Sequence, residues 1–453
     1  MKDNQIQQRD QWGSKIGFIL AAAGSAVGLG NIWRFPFMAG ANGGGAFVFL
    51  YFAILVLVGF TLMMAELTLG RHTQLSPVGA YRKLKEKWAW VGGLGVIAGF
   101  LILSFYSVIG GWVIKYIVQA LTGAFTIADP EVLGGIFGGF ITNPTEPLIY
   151  HAIFMILTLG IVIGGVKGGI EKYSKILMPA LFVMMILIMF RSLTLPGAFE
   201  GVKFLLVPDF SKITGGVVLS ALGQVFFSLS LGMGTMITYG SYLNKEENLI
   251  DSSLQIPLLD TAIALIAGLA ILPAVFAFGF DPEGGAGLLF ITLPAVFSQM
   301  PLGSLFGVLF FVLVLFAALT SSISLLEVVV AYVVDEKKWN RKKASIVFGG
   351  LIFLMGIPSS LGIGVWEKVT IIPGLDILDS VDFVASNILL PLGGLLLCIF
   401  IGWVWGLDNA YKEVTNDGKI SFPMMKVWGF LVKWVAPIAI AIVFVQGIID
   451  VFK

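Results

Sequence analysis

Residues 17–37 read GFILAAAGSAVGLGNIWRFPF, and residues 221–242 read ALGQVFFSLSLGMGTMITYGSY. Each stretch is apolar over the length of a membrane crossing. Each is also broken near its middle by small residues that end in a polar side chain: Gly28-Leu29-Gly30-Asn31 in the first, Gly232-Met233-Gly234-Thr235 in the second. Glycine inside a helix costs about 1 kcal/mol against alanine. Unwound backbone at membrane depth is tolerated only where it is buried in protein or lines a cavity. For either stretch alone, close helix packing through small residues is as good a reading as a binding site. The pair together favours function, because of where the two fall in the chain.

The rest of the chain supplies that frame. It is 57% hydrophobic and 12% charged, with a mean hydropathy of +0.95, whereas soluble domains are about half apolar and a quarter charged. Apolar runs of about twenty residues span a bilayer as helices. Roughly eleven spans are expected, at 14–38, 41–70, 88–123, 147–166, 170–192, 213–243, 252–280, 303–334, 342–360, 374–407 and 423–450. The interruptions then lie in spans one and six, corresponding positions of two five-span halves. Paired interruptions of that kind point to a binding site between repeats. Five is odd, so the halves have opposite topology. The expected fold is an all-α polytopic membrane protein with a 5+5 inverted repeat and broken helices one and six. A single domain covers 1–453, with repeat one over 14–192, repeat two over 213–407 and an extra helix over 423–450. Half-helix N-termini would face an anion, and freed carbonyls a cation.

Loop charge sets the expected orientation. With the N-terminus in the cytoplasm, the inner segments hold Arg9, Lys15, Arg71, the 82–87 group, Lys167, Lys172, Lys175, Lys245, the 337–343 group, Lys412, Lys419 and Lys426. The outer side holds only Arg191, Lys203, Lys212, Lys368 and Lys453. This predicts an N-in, C-out protein of the cell's inner (plasma) membrane. No apolar stretch with a cleavage site follows the polar residues Met1 to Lys15, so no removable signal peptide is expected. The outer loops 124–146, 193–212 and 281–302 are long, and the apolar DPEGGAGLLFITLPAVF (281–297) is expected to dip back as a short helical cap.

Net charge of +1 gives no reason to expect nucleic acid. Cys398 is the one cysteine, and His72 and His151 are far apart in sequence. An internal disulfide is impossible, and no Cys/His metal site is expected.

The stretch GSAVGLGNIWRFPFMAGANGGGAF (24–47) resembles the first-span signature of the neurotransmitter:sodium symporter family, and the resemblance runs through nearly the whole chain. The short tails, single cysteine and eleven spans resemble its bacterial, leucine-transporter-like branch, carriers of hydrophobic amino acids. The resemblance implies two sodium sites. The first would take the Ala26 carbonyl, Asn31, Ser228 and Asp260, completed by the substrate carboxylate. The second would take Gly24, Val27, Ala317, Thr320 and Ser321. Oxygen ligands suit such a hard cation, although Thr320 or Ser321 alone reads as a back-bond to its own helix. Asp260 lies in an apolar span where many members carry asparagine. A serine that helps bind chloride in chloride-dependent members corresponds here to Ala264. Chloride independence is therefore implied.

By the same resemblance the substrate meets Gly24, Ala26, Gly28, Gly30, Ile102, Tyr106, Phe227, Ser228, Ser230, Met233, Ser321 and Leu325. Gly24 stands where monoamine carriers hold an amine-pairing aspartate, so the substrate must bring its own carboxylate. The side-chain positions are apolar, and Met233 adapts to irregular shapes. Arg34 and Asp382 match an outer gate with Phe227 as lid; Arg9, Trp12, Tyr242 and Asp335 match an inner gate. Glu66 is expected to bond unwound backbone near span six, and Glu327 to lie near the inner vestibule. The segment from Gly169 to Pro179 either unwinds the cytoplasmic end of span five or forms an ordinary helix entry with a kink.

The expected function is sodium-coupled import of neutral, hydrophobic L-amino acids by alternating access. The amino acid, sodium and the bilayer are the expected partners. The competing readings are a sodium-dependent carrier of another small zwitterion, a cation channel and an intramembrane enzyme.

Overall fold

The computed structural model describes residues 10–123, 129–280 and 287–451. Arg9 and residues 281–286 of the outer loop lie outside the described residues. Within them every regular element is helical, apart from one isolated bridge between Gly44 and Pro208.

Among the described residues nine helices are long and apolar enough to cross a membrane: Gly45–Thr73, Glu86–Leu121, Glu146–Ile163, Val166–Leu193, Leu249–Ala277, Gly303–Lys337, Arg341–Leu361, Ile377–Val414 and Met425–Ile449. The pair Lys15–Ala26 and Gly30–Ala41, bent by 55°, makes a tenth crossing. The helices Gly215–Ser228 and Thr235–Gly240, joined by non-helical residues 229–234, make a further one. Each expected span therefore falls on a helix or a broken pair. The largest shift is at the tenth, which runs past residue 407 to Val414 through wide turns at Phe400–Gly406.

Local chemistry sets the starts of these helices. Side-chain oxygens of Ser14, Thr214, Asn248 and Asn340 accept the first free amides of the helices that follow them, which relieves the unpaired N–H groups of a helix start. Burial then sorts the spans. The apolar windows of Glu86–Leu121 and Gly303–Lys337 are each 72% buried, against 33% for Val166–Leu193 and Met425–Ile449. The first two are central and the last two peripheral.

The outer connections are more ordered than expected. They carry the helices Pro130–Ile141, Ala198–Leu206 and Leu288–Ser298. The last is the expected cap, with Leu288, Phe290, Leu293 and Phe297 buried. The segment from Gly169 to Pro179 is helical throughout, entered by wide turns at Val166–Glu171 and continued with Pro179 inside Lys172–Leu193. In this conformation it is the kinked entry.

One polar knot joins three elements on the side where residue 15 begins the first helix. Glu413, at the end of the tenth span, receives Arg71 Nε at 2.7 Å, His72 Nδ1 at 2.9 Å and Lys245 Nζ at 3.1 Å. Arg71 also reaches the Glu413 and Glu247 carbonyls. Its side chain is fully buried, a position a cation holds only when paired and hydrogen-bonded. The knot ties the end of span two and the chain after the sixth crossing to the tenth span.

Candidate functional site

The two breaks meet at the centre of the molecule, and their backbone groups are satisfied by side chains. In the first, the Gly28 amide donates to Asn31 Oδ1 at 3.2 Å and the Leu29 amide to Tyr106 Oη at 3.3 Å. The Gly30 carbonyl accepts from Gln224 Nε2 at 3.0 Å. The Ser25 carbonyl accepts two hydroxyls, from Ser230 at 2.9 Å and Ser321 at 3.1 Å. In the second, the Gly232 amide donates to Glu66 Oε1 at 2.7 Å. Ser230, Gly232 and Gly234 have φ of 53°, 81° and 76°, a left-handed run that no regular helix contains. Gly232 also lies so close to the tenth span that an added Cβ would stand 2.3 Å from the Leu390 carbonyl oxygen.

Beside the first break lies a buried oxygen cluster. Asn31 Nδ2 is 2.8 Å from Asp260 Oδ1 and 3.1 Å from Ser228 Oγ, and Ser228 Oγ is 2.9 Å from Asp260 Oδ2. Tyr51 Oη adds a contact to Asp260 Oδ2 at 3.2 Å. Asn31, Ser228 and Asp260 are all buried. The second expected set is also close together. An added Cβ on Gly24 would be 3.1 Å from Thr320 Cβ, and one on Gly28 would be 2.5 Å from Ser321 Oγ. Thr320 Oγ1 bonds back to the Phe316 and Ala317 carbonyls at 3.1 and 3.0 Å. Among the described residues no group of three or more His, Cys, Asp or Glu could hold a metal ion, so any cation here would depend on carbonyl, amide and hydroxyl oxygens with the Asp260 carboxylate.

Between the two clusters is a small cavity walled by Ala26, Gly28, Gly30, Ile102, Tyr106, Phe227, Ser230, Met233, Ser321 and Leu325, all expected from sequence, and by Ser25 and Leu29, which were not. Gly24 lies behind the wall toward Thr320 and Met178, and Ser228 sits with Asn31 and Asp260. The wall carries no charged side chain. Its polar side chains are Tyr106, Ser25, Ser230 and Ser321, and the rest of the wall is apolar or glycine.

The residues expected at the gates divide between the two ends. At one, the Arg34 guanidinium stacks 4.8 Å from the centre of the Phe227 ring. Asp382 accepts from Ser386 Oγ at 2.7 Å and makes no direct ion pair with Arg34. Beyond them opens a cavity of about 770 Å³ bordered by Arg34, Phe227, Thr214, Ser386 and Asn387. At the other end the packing is closed. Trp12 is buried, and its indole N–H donates to the Tyr239 carbonyl at 3.0 Å. Tyr242 Oη donates to Glu327 Oε1 at 2.5 Å, and Arg341 pairs with Glu327 and, at 3.5 Å, with Asp10. Asp335 accepts the Ser76 amide at 2.6 Å. Glu171, absent from the sequence reading, accepts the Gly13 amide at 2.6 Å and the Ser14 hydroxyl at 2.9 Å. It thereby fastens the start of the first helix to span five.

Comparison with known proteins places the chain among membrane transporters. The sodium:neurotransmitter symporter family matches residues 9–130 and 141–453. An uncharacterized sodium-dependent transporter of Bacillus subtilis is 47% identical over 97% of this chain and 98% of its own length. One of Haemophilus influenzae is 39% identical over 98% and 99%. The crystal structure of MhsT in complex with L-phenylalanine aligns with a TM-score of 0.90 at 50% identity, covering 97% of this chain and 100% of that one. The chain belongs to the sodium:neurotransmitter symporter family. It is a multi-pass, sodium-dependent membrane transporter, which sets aside the channel and the enzyme.

The packing at Gly232 generates a direct test. Gly232→Ala forces a left-handed alanine against the Leu390 carbonyl and is expected to cost about 1–3 kcal/mol or more. Gly223→Ala, whose added methyl meets open space, is the control. Thermal unfolding of the purified variants should separate them by several degrees; equal melting would contradict the close approach.

Proposed function

We propose that this member of the family imports a zwitterionic amino acid with an apolar side chain, and that two sodium ions travel with it. The observation that carries the reading is the uncharged cavity wall of Ile102, Phe227, Met233 and Leu325, set beside the Asn31–Ser228–Asp260 cluster. The bound L-phenylalanine in MhsT, half identical in sequence, is of the same chemistry.

The residues fit sodium. Asn31, Ser228 and Asp260 gather an amide, a hydroxyl and a carboxylate, the hard oxygen donors such a cation takes. A half-turn of the Asn31 amide exchanges its nitrogen for its oxygen, and the two are assigned by their hydrogen bonds rather than by shape. The Ala26 carbonyl would join the first site; Gly24, Val27, Ala317, Thr320 and Ser321 would form the second. Bound there, sodium supplies the positive charge that holds the substrate carboxylate and Asp260 together.

The chain's own groups do the rest. Tyr106 Oη, already beside the Leu29 amide, donates to the carboxylate. Carbonyls freed by the two breaks accept from the amino group, because Gly24 offers no acid to pair with it. The apolar wall removes the side chain from water, worth roughly 25 cal/mol per Å² before binding costs. A charged side chain would lose its hydration with no partner.

Alternating access requires ligands to favour one state over another. Packing around Trp12, Tyr242, Glu327 and Arg341 supports closure on the side assigned to the cytoplasm, with the 770 Å³ cavity as the outer vestibule. Arg34 and Asp382, attached to different spans and not directly paired, would draw together over Phe227 when the substrate is held. Arg9 completes the inner gate in this reading. The basic inner loops favour the N-in, C-out orientation in the plasma membrane.

Uptake into proteoliposomes under an inward sodium gradient tests the substrate. Leucine, phenylalanine and tryptophan should compete; glutamate, lysine and tryptamine should not. Tryptamine competing as strongly as tryptophan would break the link between carboxylate and sodium. With Asp260 fixed beside Asn31 and Ala264 in place of a hydroxyl, replacing chloride by gluconate should leave uptake within about twofold of its value; a large loss would overturn chloride independence. For the gate, Arg34→Ala and Asp382→Ala should each lower uptake at least tenfold while equilibrium binding falls far less. Normal uptake by both variants would remove the gate assignment.

A further inference from the structure

A separate groove opens on the flank of the protein, away from the transport path. It has a volume of about 300 Å³ and lies between the short helix Pro77–Leu84, the first turns of Glu86–Leu121 and the last turns of Gly303–Lys337. Its wall includes Arg82, Trp90, Gly93, Ile97 and Tyr332. None of these belongs to the substrate, sodium or gate positions.

The groove is polarised along its length. Its floor is a small apolar cluster of Val78, Val96, Val328 and Val329, separate from the main core, with Tyr332 packed against it. Trp90 and Ile97 are 56% and 51% exposed. They stand seven residues apart on one helix, about 10 Å along its axis. The deep end is therefore apolar, and Trp90 sits toward the helix start, where tryptophan favours a membrane interface. The other end is basic. Arg82 lines it, and Lys85 and Lys87 are exposed on the link that joins the first two walls, while Lys83 is exposed but bonds the Thr73 carbonyl. Lys337 and Lys338 end the third wall. The facing acids are fewer. Glu336 is paired with Arg82, Asp335 is held by the Ser76 amide, and Glu86 is exposed. Gly93 leaves the middle of the groove open, for an added Cβ there meets nothing within 4 Å.

We infer that this groove is a binding site for one anionic phospholipid, with an acyl chain laid over Gly93 and Ile97 and the phosphate held among Arg82, Lys85 and Lys87. An apolar trough ending in a cluster of lysine and arginine at the interface is complementary to that molecule in both shape and charge. A zwitterionic phospholipid matches only the apolar half. The inference requires only that the chain spans a membrane, and it stands or falls separately from the substrate and sodium assignments.

Native mass spectrometry of the full chain, purified in detergent with equal amounts of phosphatidylglycerol and phosphatidylcholine bearing the same acyl chains, tests it. The wild type should retain one phosphatidylglycerol in preference to phosphatidylcholine. Gly93→Leu fills the trough and should lower retained phosphatidylglycerol at least tenfold. Gly350→Leu, on another span where an added Cβ also meets open space, should leave it at the wild-type level. The triple variant Arg82→Gln, Lys85→Gln, Lys87→Gln keeps the trough and should lose the preference between headgroups. Melting temperatures identify any variant that fails to fold; the charge variant gives up the Arg82–Glu336 pair between two walls but leaves the apolar trough itself unchanged. Undiminished phosphatidylglycerol on Gly93→Leu, or equal retention of the two lipids by the wild type, would overturn the inference.

Discussion

A bilayer offers no water to unpaired backbone, so a break in a membrane helix exists only if protein groups replace the lost hydrogen bonds. Nearly every functional feature here follows from that requirement. The first break stands because Asn31, Tyr106 and Gln224 take up the Gly28 amide, the Leu29 amide and the Gly30 carbonyl. The second stands because Glu66 takes the Gly232 amide. Asn31 is local to its break, whereas Tyr106, Gln224 and Glu66 reach in from other spans. Tyr106 and Asn31 both repair the first break; Tyr106 also walls the cavity, and Asn31 belongs to the oxygen cluster with Ser228 and Asp260. In the proposed function, binding and structural repair thus fall to the same residues.

The same economy governs the two ends. At the Trp12 end, closure rests on many directional contacts: an indole N–H on a carbonyl, a phenol on Glu327, a guanidinium on the same carboxylate, and Glu171 on the start of the first helix. At the Arg34 end the Arg34–Phe227 ring contact and the Ser386–Asp382 hydrogen bond border a wide cavity. Closing one end and opening the other exchanges a dense polar network for a sparse one. Free energy from ligand binding must bridge that difference.

Much of this was legible in the sequence, for identifiable reasons. Length and apolarity located the crossings, and glycine pairs located the breaks; in the second, Gly232 and Gly234 take φ near +80°, which few other residues permit. The motif around Asn31 then placed ten of the cavity's wall positions, as the structure also has them. What escaped was backbone and long-range geometry. Ser25 faces the cavity through a carbonyl that receives two hydroxyls, and side-chain identity does not announce the direction of a carbonyl. Glu171 looks like one more charge at a helix start until Gly13 and Ser14 are seen against it. The outer helix Pro130–Ile141 was readable and missed: Asp129 caps it and Pro130 opens it, a recognised start signal.

The knot around Glu413 constrains how this chain can drift over generations. Three cationic or basic groups share one acid, and one of them, Arg71, has no access to water. Losing Lys245 leaves the acid with two partners, and losing His72 does the same. Losing Glu413 strands a buried guanidinium at once. The tolerated order of change is thus one-directional. Peripheral bases can vary freely, Arg71 can be exchanged only once the acid is no longer needed, and the acid can go only with or after Arg71. Among descendants of this sequence, histories that delete the carboxylate first should be missing.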